Sequence, residues 1–507
     1  MNHHLTRRDF LKLAGTLPLG LAASHLLHAA GIPSALATPK NILVIVFDAF
    51  SAYSIPIYGY SRLTTPNLAR LAKRAIVYHN HFANGSFTSP GTASLLTGVL
   101  PWTHRAFRPN SQVLPSFASK SVFNALPNHY RIAFTHNGWA YTLLRQFEPD
   151  IDELIPREEL LLNQFDKLIP KLFRADDDIA SVSWERLMKT EEDGYAYSLF
   201  LSQLYESYKQ NRLKGIKELF PLGLPGEGSD NFLLESATDK IGKRLLEISQ
   251  PFLGYFHMLP PHGPYRPTRE FYNAFRGDNF RAIEKPVDIF GVDVDEVLAL
   301  RRREYDEFIL YCDKEFGRLY AQLESSGLLE NTWLILTSDH GEMHERGIGG
   351  HMTDALYQPL VRVPLLIFEP GRKTGMDIYD YTSAVDILPT LAHLSGESLP
   401  AWTEGGVLPP FAPASQNASR DIYLLRASHN EQFAPLTIAS TMLVRENYKL
   451  HYYFGYPEVP KEGLARLFDI KADPEEMTDL YATKPETAQE LLGDLKATLQ
   501  KVNEPYQ

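Results

Sequence analysis

Cysteine is nearly absent. Cys312 is the only one in 507 residues, so no internal disulfide can form and no thiolate cluster can hold a soft metal. A block of Lys or Arg is missing as well: 50 basic against 61 acidic residues give a formal charge of -11, and the body of the chain has no basic stripe to follow a phosphate backbone. That excludes nucleic acid as an expected partner. Long apolar runs are lacking too. The stretch after Phe10 is broken by Gly15, Pro18, Gly20 and His25 and is too short to span a bilayer, so no transmembrane helix is expected in the mature chain. No internal repeat or low-complexity tract is found. What remains is an ordinary globular composition, 44% hydrophobic and 12% aromatic, enough for one large domain and a smaller one.

The first residues read Thr6-Arg7-Arg8-Asp9-Phe10-Leu11-Lys12, followed by a mild apolar stretch to about Leu27 and by Ala35-Leu36-Ala37, a small-x-small cleavage pattern. This predicts a twin-arginine signal over 1–37, export by that machinery, and a periplasmic or otherwise extracytoplasmic bacterial protein.

From there the chain alternates. Asn41 to Phe47 is a continuous apolar run of strand length, and similar runs fall at Ile132 to Thr135, Phe252 to Met258, Trp333 to Thr337 and Val363 to Phe368. Helical spacing occurs between them, at Pro66 to Ala75, Leu234 to Ser249, Arg303 to Leu323 and Ala384 to Leu394. The pattern predicts a three-layer α/β sandwich around a mainly parallel sheet, with the ligand site at the carboxyl ends of the strands. Residues of about 150–230 break the rhythm and read as an inserted helical cap. A Pro/Ala/Ser linker at Leu408 to Ser415 leads into a small α+β subdomain over 408–507, with a final helix from about Glu486 to Val502.

Four local features can carry chemistry. Asp48 closes a buried strand, as a helix N-cap or a metal ligand would. Thr337-Ser338-Asp339-His340-Gly341-Glu342 places a carboxylate and an imidazole at another strand end, in a turn or around a metal. Thr88-Ser89-Pro90-Gly91-Thr92 runs into a helix, so the Thr88 hydroxyl is a cap or stands where backbone N–H groups favour an anion. His262 and His351 lie in tight turns beyond strands, where a histidine is structural or faces a site.

Together with Thr65-Pro66-Asn67-Leu68, Ser94-Leu95-Leu96-Thr97-Gly98, Arg362-Val363-Pro364-Leu365 and Val385-Asp386-Ile387-Leu388-Pro389-Thr390, these features resemble the sulfatase family of the alkaline phosphatase superfamily over nearly the whole mature chain. The resemblance implies a metal-dependent ester hydrolase. Asp48, Asp339 and His340 would then be metal ligands, Thr88 both ligand and nucleophile, His262 would face the ester oxyanion, and His351 would be a further site residue. Sulfatases make formylglycine from Cys or Ser in a C/S-x-P-x-R motif, whereas this chain has Thr88 and Thr92 at the two defining positions. The usual Asp-Asp pair is Asp48-Ala49, and the family's Gly-Lys-Trp-His is His136-Asn137-Gly138-Trp139. The likeness is therefore to the threonine branch: a phosphate mono- or diesterase working through a covalent Thr88 intermediate, with one divalent ion (Mn, Zn, Ca or Mg), no formylglycine, and a small-molecule or glycan- or lipid-linked ester as substrate. The alternatives are a sulfuric ester hydrolase, a phospho-group transferase acting on envelope glycans or lipids, and a non-catalytic binding module.

Overall fold

A strand reading Asn-Ile-Leu-Val-Ile-Val-Phe is apolar on both faces and needs cover on both. The structure, a computed structural model, describes residues 39–162, 196–227, 230–412 and 420–507. The expected signal over 1–37 lies outside these residues, as do 163–195 of the expected insertion and 413–415 of the expected linker. In the described part, Asn41–Phe47 is a central strand whose side chains divide between two cores. Leu43, Ile45 and Phe47 join Leu68, Ile241 and Tyr311, from helices Pro66–Leu71, Leu234–Leu245 and Asp295–Ser325. Ile42, Val44 and Val46 join Leu95, Leu143 and Leu388, from helices Thr88–Thr97, Gly138–Phe147 and Ile387–Leu394. Helices on both faces of one sheet make three layers.

Across the sheet the eight strands run Met376–Ser383, Ile76–Phe82, Leu365–Phe368, Thr332–Thr337, Asn41–Phe47, Phe252–Met258, Tyr130–Thr135 and Glu153–Leu154. Leu365–Phe368 pairs antiparallel with both neighbours, and every other pairing is parallel. The carboxyl ends of Thr332–Thr337, Asn41–Phe47, Phe252–Met258 and Tyr130–Thr135 therefore lie side by side, and the candidate site is built there.

Two strands depart from the sequence expectation. Ile76–Phe82 carries His79 and Asn80 at its centre, which hides it from a search for apolar runs. Met376–Ser383 lies at the sheet edge and is exposed at Met376, Asp377, Tyr379 and Asp380, so only part of it needs to be apolar. The run expected from Val363 is a regular strand only from Leu365, because Pro364 has no N–H to give the ladder, although the Val363 N–H still donates to the His81 carbonyl. Beyond residue 407, Ile422–Arg426, Ala439–Arg445, Tyr448–Phe454 and Leu464–Asp469 form an antiparallel sheet. Helix Pro485–Asn503 covers it with Ala488, Leu491, Leu495 and Leu499, one stripe at helical spacing. Of the segment read as a cap, Glu153–Leu154 adds a strand to the main sheet and Ala196–Lys217 is helical. Among the described residues no helix is long and apolar enough to cross a membrane.

Candidate active site

Asp48 caps no helix: the short turn after it, Ala52–Ser54, is capped by Ser51. The chain turns instead at Ala49, whose φ of 58° costs an alanine about 1 kcal/mol. That turn is held from both sides, since Tyr305 Oη donates to the Ala49 carbonyl at 2.6 Å and the Ala49 N–H faces Asp339 Oδ1 at 3.4 Å. The Asp48 carboxylate is thereby fixed beside Asp339 and His340, which follow the adjacent parallel strand.

All three side chains are fully buried, and each offers one ligand atom within 4.8 Å of the other two. His340 Nε2 lies 3.3 Å from Asp48 Oδ1 and 3.6 Å from Asp339 Oδ2. His340 Nδ1 donates to the Gly341 carbonyl at 2.9 Å, which leaves Nε2 as the nitrogen with a free lone pair. Asp48 Oδ1 and His340 Nε2 are buried without a hydrogen-bond partner. Burial and the neighbouring Asp48 charge raise the Asp339 carboxyl above its ordinary range. Burial would also raise Asp48, but His257 and His340 hold it well below that range. Two carboxylates forced together with an imidazole, and with a buried oxygen and nitrogen left unbonded, fit a hard or borderline divalent cation in donor type and in charge.

Thr88 is the first residue of its helix and does not cap it. The cap position is Phe87, and no side chain closes the helix end. The Thr88 hydroxyl is instead tied to the carboxylate corner through Asn137, whose Nδ2 donates to Asp48 Oδ2 at 2.5 Å and to Thr88 Oγ1 at 3.2 Å. The same Asn137 accepts the first N–H groups of helix Gly138–Phe147 with Oδ1, which fixes the direction of its amide. Thr92, one turn beyond Thr88, donates to Asp339 Oδ2 at 3.3 Å. Between them Gly91 lies so close to residue 339 that a Cβ there would run into the Asp339 carbonyl oxygen.

His351 lies beside His340, and His262 beside His351. The His351 ring centroid is 4.6 Å from that of His340 and 4.7 Å from that of His262. His351 Nδ1 faces both oxygens of the buried Glu342, at 3.1 and 3.2 Å. Burial lowers the His351 imidazole despite that carboxylate.

The structure thus brings Asp48, Asp339 and His340 to one point, links Thr88 to them through Asn137, and places His351 beside His340 and His262 beside His351. Three partners escaped the sequence reading. Asn137 was visible only as a departure from a motif. Glu342 sat inside a quoted turn with no role. His257, whose Nε2 lies 3.2 Å from Asp48 Oδ2, interrupts an otherwise apolar strand, and that interruption was its signal.

A family model described as Sulfatase matches residues 40–397, and one described as N-sulphoglucosamine sulphohydrolase, C-terminal, matches residues 351–505. Choline-sulfatase of Rhizobium meliloti is 26% identical over 469 residues, covering 87% of this chain and 82% of its own. The multifunctional alkaline phosphatase superfamily protein PehA of Trinickia caryophylli is 24% identical over 495 residues, covering 87% and 91%. Among solved structures, the phosphonate monoester hydrolase of Agrobacterium radiobacter superposes with a TM-score of 0.66 at 19% identity, covering 91% of this chain and 95% of its own, a likeness of fold. The chain belongs to the sulfatase family, whose members are hydrolases of sulfuric or phosphoric ester bonds.

Proposed function

We propose that the chain hydrolyses a phosphate ester, mono- or diester, with Thr88 Oγ1 as the nucleophile. The observation that carries this reading is the hydroxyl at an uncapped helix start, held by the same Asn137 amide that holds Asp48. When bound by Asp48, Asp339, His340 and the Thr88 hydroxyl, a divalent cation such as Mn, Zn, Ca or Mg supplies Lewis-acid polarisation to the oxygen atoms beside it. Asn137 donates to Thr88 Oγ1 and so favours its deprotonated form. With no side chain over the helix end, with Pro90 lacking an N–H and with the Gly91 N–H given to the Phe87 carbonyl, the Thr88 and Ser89 N–H groups remain to face the ester oxygens. Thr88 Oγ1 gives its proton to water and bonds to phosphorus as the bond from phosphorus to the leaving oxygen breaks. His351, oriented by Glu342, or His262 beside it protonates that oxygen. Water then cleaves the phosphothreonine, giving its proton to the neutral imidazole, and the released Thr88 Oγ1 takes back a proton from solvent.

Sulfuric ester hydrolysis is the second reading, favoured by the family model and by the choline-sulfatase relative. Transfer of the phospho group to an envelope glycan or lipid is the third. Export by the twin-arginine route to an extracytoplasmic site, proposed from Arg7-Arg8 and Ala35-Leu36-Ala37, completes the assignment. Aryl phosphate, bis-aryl phosphate, phosphonate and aryl sulfate esters, given to wild type and to Thr88→Ala, separate the readings. Turnover of a phosphorus ester is expected, falling on the order of 10³-fold in the variant. Turnover of the sulfate ester alone would overturn the substrate, and full activity in Thr88→Ala would overturn the nucleophile.

A further inference from the structure

His262, Glu342 and His351 also line a cleft of about 520 Å³ whose lining does not include Thr88. Its size is that of a small-molecule site. Five apolar side chains, Ile289, Phe290, Val292, Ile348 and Met352, share the lining. Val292 is 90% exposed and Met352 50%, an unusual cost to leave beside a polar centre unless an apolar group covers them. The wall is stiff. Phe290 packs edge-on against Tyr453 and Tyr456 of the C-terminal sheet region, and Tyr265, on the lining, packs against Tyr305 and His344.

The charge of the lining has one sign. Glu342, Asp293, Asp354 and Glu458 contribute carboxylates, and among the described residues no lysine or arginine lines the cleft. Three of these carboxylates are engaged: Glu342 with His351, Asp293 with Arg301 and the Gly349 N–H, Asp354 with Arg426 and Tyr456. Glu458 is exposed and has no partner among the described residues. We infer that this cleft is the subsite for the leaving alcohol, given the ester-hydrolase reading on which this rests. It takes an organic alcohol with an apolar body and no negative charge, with cationic alcohols ahead of neutral ones. A cation gains Glu458 and the aromatic walls, whereas an anion meets Glu458 while the neighbouring Arg301 and Arg426 are already paired with Asp293 and Asp354.

Calorimetric titration of the metal-loaded full chain with 4-(trimethylammonio)phenol, 4-methylphenol and 4-hydroxybenzoate reads this without turnover. The expected order is cation, neutral, anion, with about tenfold between first and last, the scale of one attractive against one repulsive charge contact at a solvent-exposed carboxylate. Glu458→Lys should reverse the order of first and last. Equal binding of the three, binding of none, or an unchanged order in Glu458→Lys overturns the inference. Hydrolysis of the matching phenyl esters is read separately. No hydrolysis with the binding order intact overturns the Thr88 reading and leaves the subsite standing. Hydrolysis without the order overturns the subsite alone.

Discussion

Two clusters of buried charge in this molecule are built from similar parts and finished differently. In the C-terminal sheet, Lys449 Nζ donates to Glu476 Oε1 at 2.8 Å and to the Leu356 carbonyl at 2.7 Å, while Glu476 Oε2 accepts the Gln358 N–H at 2.7 Å. Arg346 adds bonds to the Glu475 and Glu476 carbonyls at 2.8 and 2.7 Å. Both carboxylate oxygens of Glu476 are matched, and the knot joins strand Tyr448–Phe454 to the segment on either side of His351. Around Asp48, Asp339 and His340, by contrast, two carboxylates meet without a lysine or arginine among the described residues, faced by the imidazoles of His257 and His340 at 3.2 to 3.7 Å. A matched cluster fastens one part of the chain to another. Two carboxylates pressed together without an ammonium or guanidinium instead carry a cost of desolvation and repulsion that a bound cation would relieve.

The sharpest way to break this contrast is Asp339→Asn. It should remove the bound cation and lower turnover on the order of 10³-fold, the scale expected when metal catalysis is lost. The melting temperature of the metal-free protein should change little, since relief of the crowding with Asp48 is offset by loss of the charge that holds the His340 proton. Turnover, metal content and melting in chelator check it. A large loss of metal-free stability would make this corner a fastening like the other.

Lys449→Met tests the knot. It leaves Glu476 buried without its countercharge and should cost about 3–5 kcal/mol in urea unfolding, while the protein still folded keeps its turnover number.

The two clusters should also respond to pH in opposite directions. Burial would raise the Glu476 carboxyl, but Lys449 and His451 hold it at about 2. Its contribution is present above the ordinary value of 4.5 and is lost as pH falls toward 2. His340 goes the other way. Burial would lower it, but Asp339 and Asp48 raise it from 6.5 to about 9. In metal-free protein its contribution is present below 6.5 and disappears as pH rises through 9. A divalent cation takes the place of that proton. The gap in melting temperature between metal-loaded and chelated protein should therefore widen from pH 6 to 9. A gap that does not change with pH would remove His340 from the ligand set.

Much of this was legible in the residues. Asp48 and Asp339 each end an apolar run, and a carboxylate at the end of a buried strand is conspicuous in a sequence because it breaks a local pattern. The layered fold was legible for the same reason, wherever the strand was central and apolar on both faces. Ile76–Phe82 and Met376–Ser383 were not, because polar residues within them are accommodated by their neighbours in the sheet and not by their own composition. Asn137 and Glu342 were not assigned either. An amide and a carboxylate in loops have no local signature, and their roles come from Asp48 and Thr88 in one case and His351 in the other.

The order of residues by itself determined which apolar segments become central strands, that the first of them ends in Asp48, and that a threonine with a proline two residues on starts a helix. These depend on contacts between near neighbours in the chain, or on apolar periodicity. Only the tertiary structure decided that Asp48, Asp339 and His340 meet, that Asn137 joins them to Thr88, and that an acidic, apolar cleft opens beyond His351. Each of those requires residues some 50 to 290 positions apart to be held within a few ångströms by the register of parallel strands, as in the 2.5 Å, 3.2 Å and 3.4 Å bonds of Asn137 to Asp48, Asn137 to Thr88 and Ala49 to Asp339.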